Sequence, residues 1–389
     1  MEGTASIVER CQALFEDLDL ASVAAWKAAV PGRKAVGYLP IYVPRELIHA
    51  AGMLPVGLLG GGDQLEVIQG DAYYQSYICR IPRSTLEMGL TGRLDSLDGV
   101  LFPSICDVIR NLSGMWQMMF AGKYVRYFDV PQNYEDAVGG AYYVNELRTL
   151  RDDLAALAGR PVTDDDLRAS IAAYNENRRA VADLYAYRAA RPWQAPTAEV
   201  YLLLRAAMVL PVDEHTRLVR DYLAATDAVK RPMRDNARVV LNGTFCEQPP
   251  LALIKSIEMS GCYIVDDDFM LVTRWLTRDV PLDGDPLENL AREFLHHSVS
   301  TSAKYEPKRE DKGRFMLEQI RERRAEGVVF ACPSFCDPAL LERPMLQDVL
   351  AANGVPFTAF KYAENTGQMA PIREQSGTFA DSIKLWSAA

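Results

Sequence analysis

No stretch of this sequence approaches the roughly 18 consecutive apolar residues that would cross a bilayer as a helix. Its first residues, Met-Glu-Gly-Thr, lack the basic and apolar regions of an export signal. Lys and Arg form no stripe and the net charge is −10, which disfavours nucleic acid and anionic membranes as partners. The absence of a Gly-x4-Gly-Lys-[Ser/Thr] loop excludes ATP binding by that mode, and Gly60-Gly61-Gly62 is too short and unpatterned for a dinucleotide fingerprint. Only four histidines are present. They are not spaced as metal partners, His49 reads as a packed helix histidine, and no Ser/His/Asp order supports hydrolase chemistry. A cytoplasmic protein is expected.

What is present is ample core. The chain has 389 residues, 49 % hydrophobic and 24 % charged, enough for two or three domains. Apolar runs at residues 35–39, 55–59, 99–102 and 124–128 alternate with helical stretches, and the alternation returns at 239–242, 262–265, 328–331 and 356–360. Such alternation predicts βαβ units and parallel sheets. Between them, stretches of 3.6-residue period at 146–157, 164–190, 199–209 and 214–229 predict helices, with Thr163 as an N-cap. The expected fold is α/β. It comprises an N-terminal helical segment (1–34) whose first 30 residues read as one helix, a first Rossmann-like domain (35–135), a helical connecting region (136–235) and a second Rossmann-like domain (236–389).

The two halves repeat each other. Residues 100–107 and 329–337 both run an apolar strand into Pro-Ser-x-Cys-Asp, and each is followed by a helix and a further strand. Ligands of open parallel sheets bind beyond the carboxyl ends of the strands. That edge is where this repeat places Cys106 and Cys336. Asp337-Pro338 reads as an N-cap with Pro at the first helical position, so a thiolate there would feel the helix dipole. Cys79, in a helix-like stretch between the second and third strands, is placed to lean over the same edge.

Seven cysteines in a chain without export signals point away from disulfides and toward metal or catalytic roles. Any single one is equally at home as a small buried hydrophobe. Three thiolates from distant segments suit an iron–sulfur cube better than structural zinc, which favours tight Cys pairs and a fourth Cys or His. Three ligands also leave one iron open, whereas four cysteines usually mean electron transfer alone. Cys246, Cys262 and Cys332 lie near strand ends and form a second tier, read either as ligands of a second or double cube or as core thiols. The run Asp266-Asp267-Asp268 ends a strand, where it would orient ligands, donate protons or cap a solvated strand end.

Several motifs together resemble the 2-hydroxyacyl-CoA dehydratase / benzoyl-CoA reductase family. They are Gly37-Tyr-Leu-Pro-x-Tyr-x-Pro-x-Glu-Leu-Ile, Ala50-Ala-Gly-x-x-Pro-Val, Ser76-x-x-Cys79, Leu97-Asp-Gly-Val with Pro-Ser-x-Cys106-Asp, Phe335-Cys-Asp-Pro and Gly367-Gln368. The segments at 242–250 and 261–268 look like the C (gamma) subunits of its ATP-dependent benzoyl-CoA reductase branch. The C-terminal segment departs from the family's pattern, reading Met369-Ala-Pro-Ile-Arg-Glu-Gln in place of an Arg-Ile-Glu-rich helix.

The resemblance implies cluster ligation by Cys79, Cys106 and Cys336, with the cluster between the two domains. It implies a [4Fe-4S] cluster, with a double-cubane [8Fe-9S] form also found in the superfamily. The implied partners are a homologous B-type subunit, ATP-binding activator subunits of A and D type and ferredoxin. The implied reaction reduces benzoyl-CoA to a cyclic dienoyl-CoA in anaerobic aromatic degradation. The rival readings it leaves are a 2-hydroxyacyl-CoA dehydratase subunit, which is a lyase, and a non-catalytic electron-relay subunit.

Overall fold

A computed structural model of the chain describes residues 3–243, 245, 248–304, 309–363 and 369–387. Among these residues lie two four-stranded sheets, parallel throughout. The first consists of β1 (Ala35–Tyr38), β2 (Leu54–Gly57), β3 (Gly99–Pro103) and β4 (Tyr124–Phe128). The second consists of β5 (Ala237–Asn242), β6 (Cys262–Asp267), β7 (Gly327–Pro333) and β8 (Phe357–Tyr362). The strand orders, β2-β1-β3-β4 and β6-β5-β7-β8, are the same order twice, so the repeat in the sequence is a repeat of topology.

The apolar runs explain the sheets. Parallel strands covered by helices on both faces are buried on both sides and read as unbroken apolar segments; every residue of β1 and of β7 is buried. Gly99 opens β3 because a Cβ there would lie 2.6 Å from the Tyr124 carbonyl oxygen on β4. In each sheet the order reverses between the first strand and the third, β1/β3 and β5/β7, creating the crevice where doubly wound sheets take ligands.

Helices Ala141–Ala158, Asp164–Ala190, Thr197–Ala206 and Val212–Thr226 connect the sheets. The longest begins with a capping box, in which Thr163 Oγ1 accepts from the Asp166 N–H at 3.1 Å and Asp166 Oδ2 accepts from the Thr163 N–H at 2.9 Å. This helix is ion-paired to both halves. Its Arg178 meets buried Glu46, on the helix Arg45–Ala50 after β1, at 2.6 Å. Its Arg188 meets Asp267, the last residue of β6, at 2.6 Å. One continuous buried apolar cluster includes residues of both sheets and of the connecting helices.

Three local expectations are corrected. The N-terminal segment is two helices, Thr4–Glu16 and Ala21–Ala28, separated where Leu20 takes φ 52°. Cys79 lies outside helix, because the chain from Gly70 forms a 3-10 turn and only Arg80–Leu90 is α-helical. Asp337 is the first residue of its helix, and the cap is Cys336.

Candidate functional site

Cys79, Cys106 and Cys336 line one cavity of about 510 Å³. Each holds the same local position, as the N-cap of a helix: Arg80–Leu90, Asp107–Met119 and Asp337–Ala352 respectively. Two of these helices leave the third strand of a sheet, β3 or β7, so the repeated topology aims Cys106 and Cys336 into the cavity from the two halves. The four exposed N–H groups of a helix start and its dipole favour negative charge, and here three helices start around one space.

The remaining wall is mostly apolar, including Ile81, Ile105, Val108, Phe245, Leu341 and Met345. Phe335 also lines it, half exposed, between Ser334 and Cys336. Its φ is 68° and the turn is closed by the Cys336 N–H donating to the Pro333 carbonyl at 3.2 Å. Phe335 thus occupies the turn position normally given to Gly or Asn, at a backbone cost of roughly 1–2 kcal/mol.

Burial raises the Cys106 thiol above its ordinary pKa, opposed by the backbone N–H groups of Ile109 and Val108 at the helix start. Tyr74, five residues before Cys79, has its hydroxyl raised by burial and by the charges of Cys79 and Cys106. Its Oη is buried and has no hydrogen-bond partner among the described residues. Also among these residues, no three His, Cys, Asp or Glu side chains form a group suited to a single metal ion. Three cysteine thiols at three helix starts, in a mostly apolar cavity that Asp107, Asp337 and Glu342 also line, suit the thiolate ligation of iron–sulfur clusters. The residues present fit a polynuclear cluster.

A second cavity of about 380 Å³ abuts the first and shares Phe245, Ser302, Lys312 and Glu342 with it. Lys312 Nζ donates to the Glu342 carboxylate and to the Thr301 carbonyl. Nothing local marks this pair, because it is made by two helices packing across 30 residues of sequence.

The second-tier cysteines divide. Cys332, near the end of β7, packs with Cys336 and Ala339 behind the cavity wall, and burial pushes its thiol up to about 11 against the pull of Arg343. Gly243 at φ 108° makes room for it, since a Cβ there would lie 2.7 Å from its sulfur. Cys262 begins β6 at the opposite edge of the sheet, its sulfur 3.9 Å from the Ser376 carbonyl under the last helix, and burial pushes it up to about 12. Cys246 lies outside the described residues, as do Gly367 and Gln368.

The acidic run is no solvated strand end. Asp266 meets Arg274 and Arg323, each at 2.7 Å, and Asp267 meets Arg188. Burial raises the Asp266 carboxyl, but Arg274, Arg323 and Arg188 outweigh it and hold it at about 2. Asp268 accepts from the Gly243 N–H at 2.7 Å. His49 is the expected packed residue, its Nδ1 2.9 Å from Ser170 Oγ and its ring edge-on to Tyr174.

Residues 40–383 match the family model described as 2-hydroxyglutaryl-CoA dehydratase, D-component. The chain is 66 % identical over 385 residues to the C subunit of benzoyl-CoA reductase from Thauera aromatica, covering 99 % of this chain and 100 % of that one. It is 29 % identical over 361 residues to the beta subunit of (R)-2-hydroxyglutaryl-CoA dehydratase from Acidaminococcus fermentans, covering 92 % and 94 %. It is 27 % identical over 325 residues to the (R)-phenyllactyl-CoA dehydratase beta subunit of Clostridium sporogenes, covering 84 % and 85 %. With two equally ordered parallel sheets, a cysteine capping the helix after the third strand of each, and a family match over nearly its whole length, the chain belongs to the 2-hydroxyglutaryl-CoA dehydratase D-component family.

Proposed function

We propose that this chain is the C-type iron–sulfur subunit of a benzoyl-CoA reductase, with Cys79, Cys106 and Cys336 as its cluster ligands. The observation that carries the reading is the convergence of three cysteines, each at a helix N-cap position, on one cavity, in a chain 66 % identical to the C subunit of a benzoyl-CoA reductase. A bound [4Fe-4S] cluster would supply one-electron transfer at low potential. The chain's own part is to hold and insulate. Helix-start N–H groups face the anionic sulfurs, while Ile81, Ile105, Val108, Leu341 and Met345 keep the space apolar.

Cys262 at the far sheet edge, and Cys332 behind the wall, speak for one cube over a double one. The lack of a phosphate loop leaves ATP to separate activator subunits, with ferredoxin upstream and a homologous B-type subunit beside this one. The reaction served is reduction of benzoyl-CoA to a cyclic dienoyl-CoA. A dehydratase subunit is the weaker reading, since the dehydratase relatives reach only 27–29 % identity.

The test is iron and acid-labile sulfide per chain, with EPR, on protein purified anaerobically with its partner subunit. About four of each, the content of one cube, is the expected result. About eight would indicate the double cube, and folded protein without iron would sink the reading.

A further inference from the structure

Lys312 and Glu342 stand where the two cavities meet, since both residues line the thiol-lined cavity and its neighbour. They come from different helices. Lys312 is on Arg309–Arg323, and Glu342 is on Asp337–Ala352, the helix that Cys336 caps. Gly313 lets these helices approach, because a Cβ there would lie 2.6 Å from Val349. Lys312 and Glu342 then form an ion pair that is mostly enclosed, with side-chain exposures of 11 % and 14 %.

Lys312 is also held from a second side. Its Nζ donates to the Thr301 carbonyl at 3.2 Å, and the Thr301 hydroxyl meets the hydroxyl of Tyr42, which follows β1 in the first half. A lysine ammonium is a point charge on a flexible stem. Two acceptors from separate segments fix it at the junction.

The charges around the thiol-lined cavity are uneven. Asp107, Asp337 and Glu342 line it, and Lys312 is the only basic residue that does so among the described residues. Bound thiolates would add negative charge to a space with mostly apolar walls, where charges are weakly screened. An arriving electron makes that space more negative still. The net charge around a cluster is one of the quantities that set its potential.

We infer that Lys312 sets the reduction potential of the site, by neutralising Glu342 and holding a positive charge beside the space where the electron resides. The inference rests on the proposal that Cys79, Cys106 and Cys336 hold an iron–sulfur cluster. Lys312 is then a positioning residue that acts through its charge, and Glu342 acts with the opposite sign.

The test is EPR-monitored redox titration of variants in the complex with the partner subunit, purified anaerobically. Lys312→Met should keep the parent's iron and give a more negative midpoint. The ratio of reduced to oxidised site at a fixed ambient potential should fall about tenfold, equivalent to 59 mV for one electron. Glu342→Gln should move the midpoint the other way, and the double variant should bring it back toward the parent's. Lys312→Arg keeps the charge and should stay near the parent. If the lone carboxylate left by Lys312→Met prevents folding, the sign of the Glu342→Gln shift decides. Unchanged midpoints in the single variants, with full iron, overturn the inference and leave the functional reading standing. Loss of iron from the folded variants would overturn it too, making the pair part of the cavity's scaffold. A parent complex without iron would sink the functional reading, and this inference with it.

Discussion

Cys106 and Cys336 occupy equivalent places in the two halves. Each follows Pro-Ser-x after the third strand in sequence of a four-stranded parallel sheet, caps the helix that leaves it, and lines the same cavity. Equivalent positions should have equivalent consequences. Replacing either residue, or Cys79, with Ala should remove most of the iron from anaerobically purified protein. Cys262→Ala, at the other sheet edge, should retain it. Iron assays on the four variants side by side decide the matter, and a Cys262 variant as iron-poor as the others would refute the assignment.

The Arg188–Asp267 pair has both side chains almost fully buried. Asp267 Oδ1 also accepts from Tyr185 Oη at 2.9 Å, while Arg188 Nε and Nη1 find no partner among the described residues. Asp267→Ala strands a buried cation and should cost about 3–5 kcal/mol. Joint replacement by Arg188→Met and Asp267→Leu should recover a large part of that loss. Denaturant unfolding of the single and double variants measures both effects, and a single variant as stable as the parent would contradict the account.

Phe335 carries its left-handed φ with half of its side chain exposed. Phe335→Gly and Phe335→Ala both lose the half-buried ring, but only Gly relieves the backbone, so the Gly variant should be the more stable of the two by about 1 kcal/mol. Phe335→Ala keeps the strain and should not stabilise. Paired unfolding curves distinguish the two, and equal responses would show that the turn is not strained.

His215 is buried with its Nδ1 2.8 Å from Asn177 Nδ2 and its Nε2 3.0 Å from the Leu203 carbonyl. Asn177 donates to one ring nitrogen and the other donates to Leu203, a pattern only the neutral ring can satisfy. Burial, the largest cause, pushes the ring's pKa down to about 4. The unfolded chain therefore takes up this proton near pH 6.5, while the folded chain resists it until about pH 4. The stability present above pH 6.5 should fall by roughly 3 kcal/mol as pH drops to 4. Unfolding free energies across that interval should show the slope, and His215→Gln should flatten it. An unaltered slope in that variant would assign the proton elsewhere.

Much of this was legible without coordinates. Strand positions, the parallel α/β class and the repeat follow from short unbroken apolar runs and a doubled Pro-Ser-x-Cys-Asp, because strands buried on both faces must be apolar along their length. The Thr163 cap was readable because capping is a local hydrogen bond between residues three apart. Cys106 and Cys336 stood out because turns after parallel strands gather at one edge.

Other features depend on contacts between segments far apart in the chain. Asp266 and Asp267 read as a strand end, and only the arrival of Arg188, Arg274 and Arg323 from separate helices turns them into a buried ionic core. Cys262 and Cys332 look alike as cysteines in strands. Strand direction and packing put one at the far edge and the other behind the wall. Tyr74 has no local signal at all, since what distinguishes it is the lack of a partner in a crowded place. The sequence by itself determined which elements form and which edge carries the thiols, because those are matters of local periodicity and turn chemistry. Tertiary structure alone decided which thiols share a space and which charges are buried, because those depend on how separate surfaces are brought together.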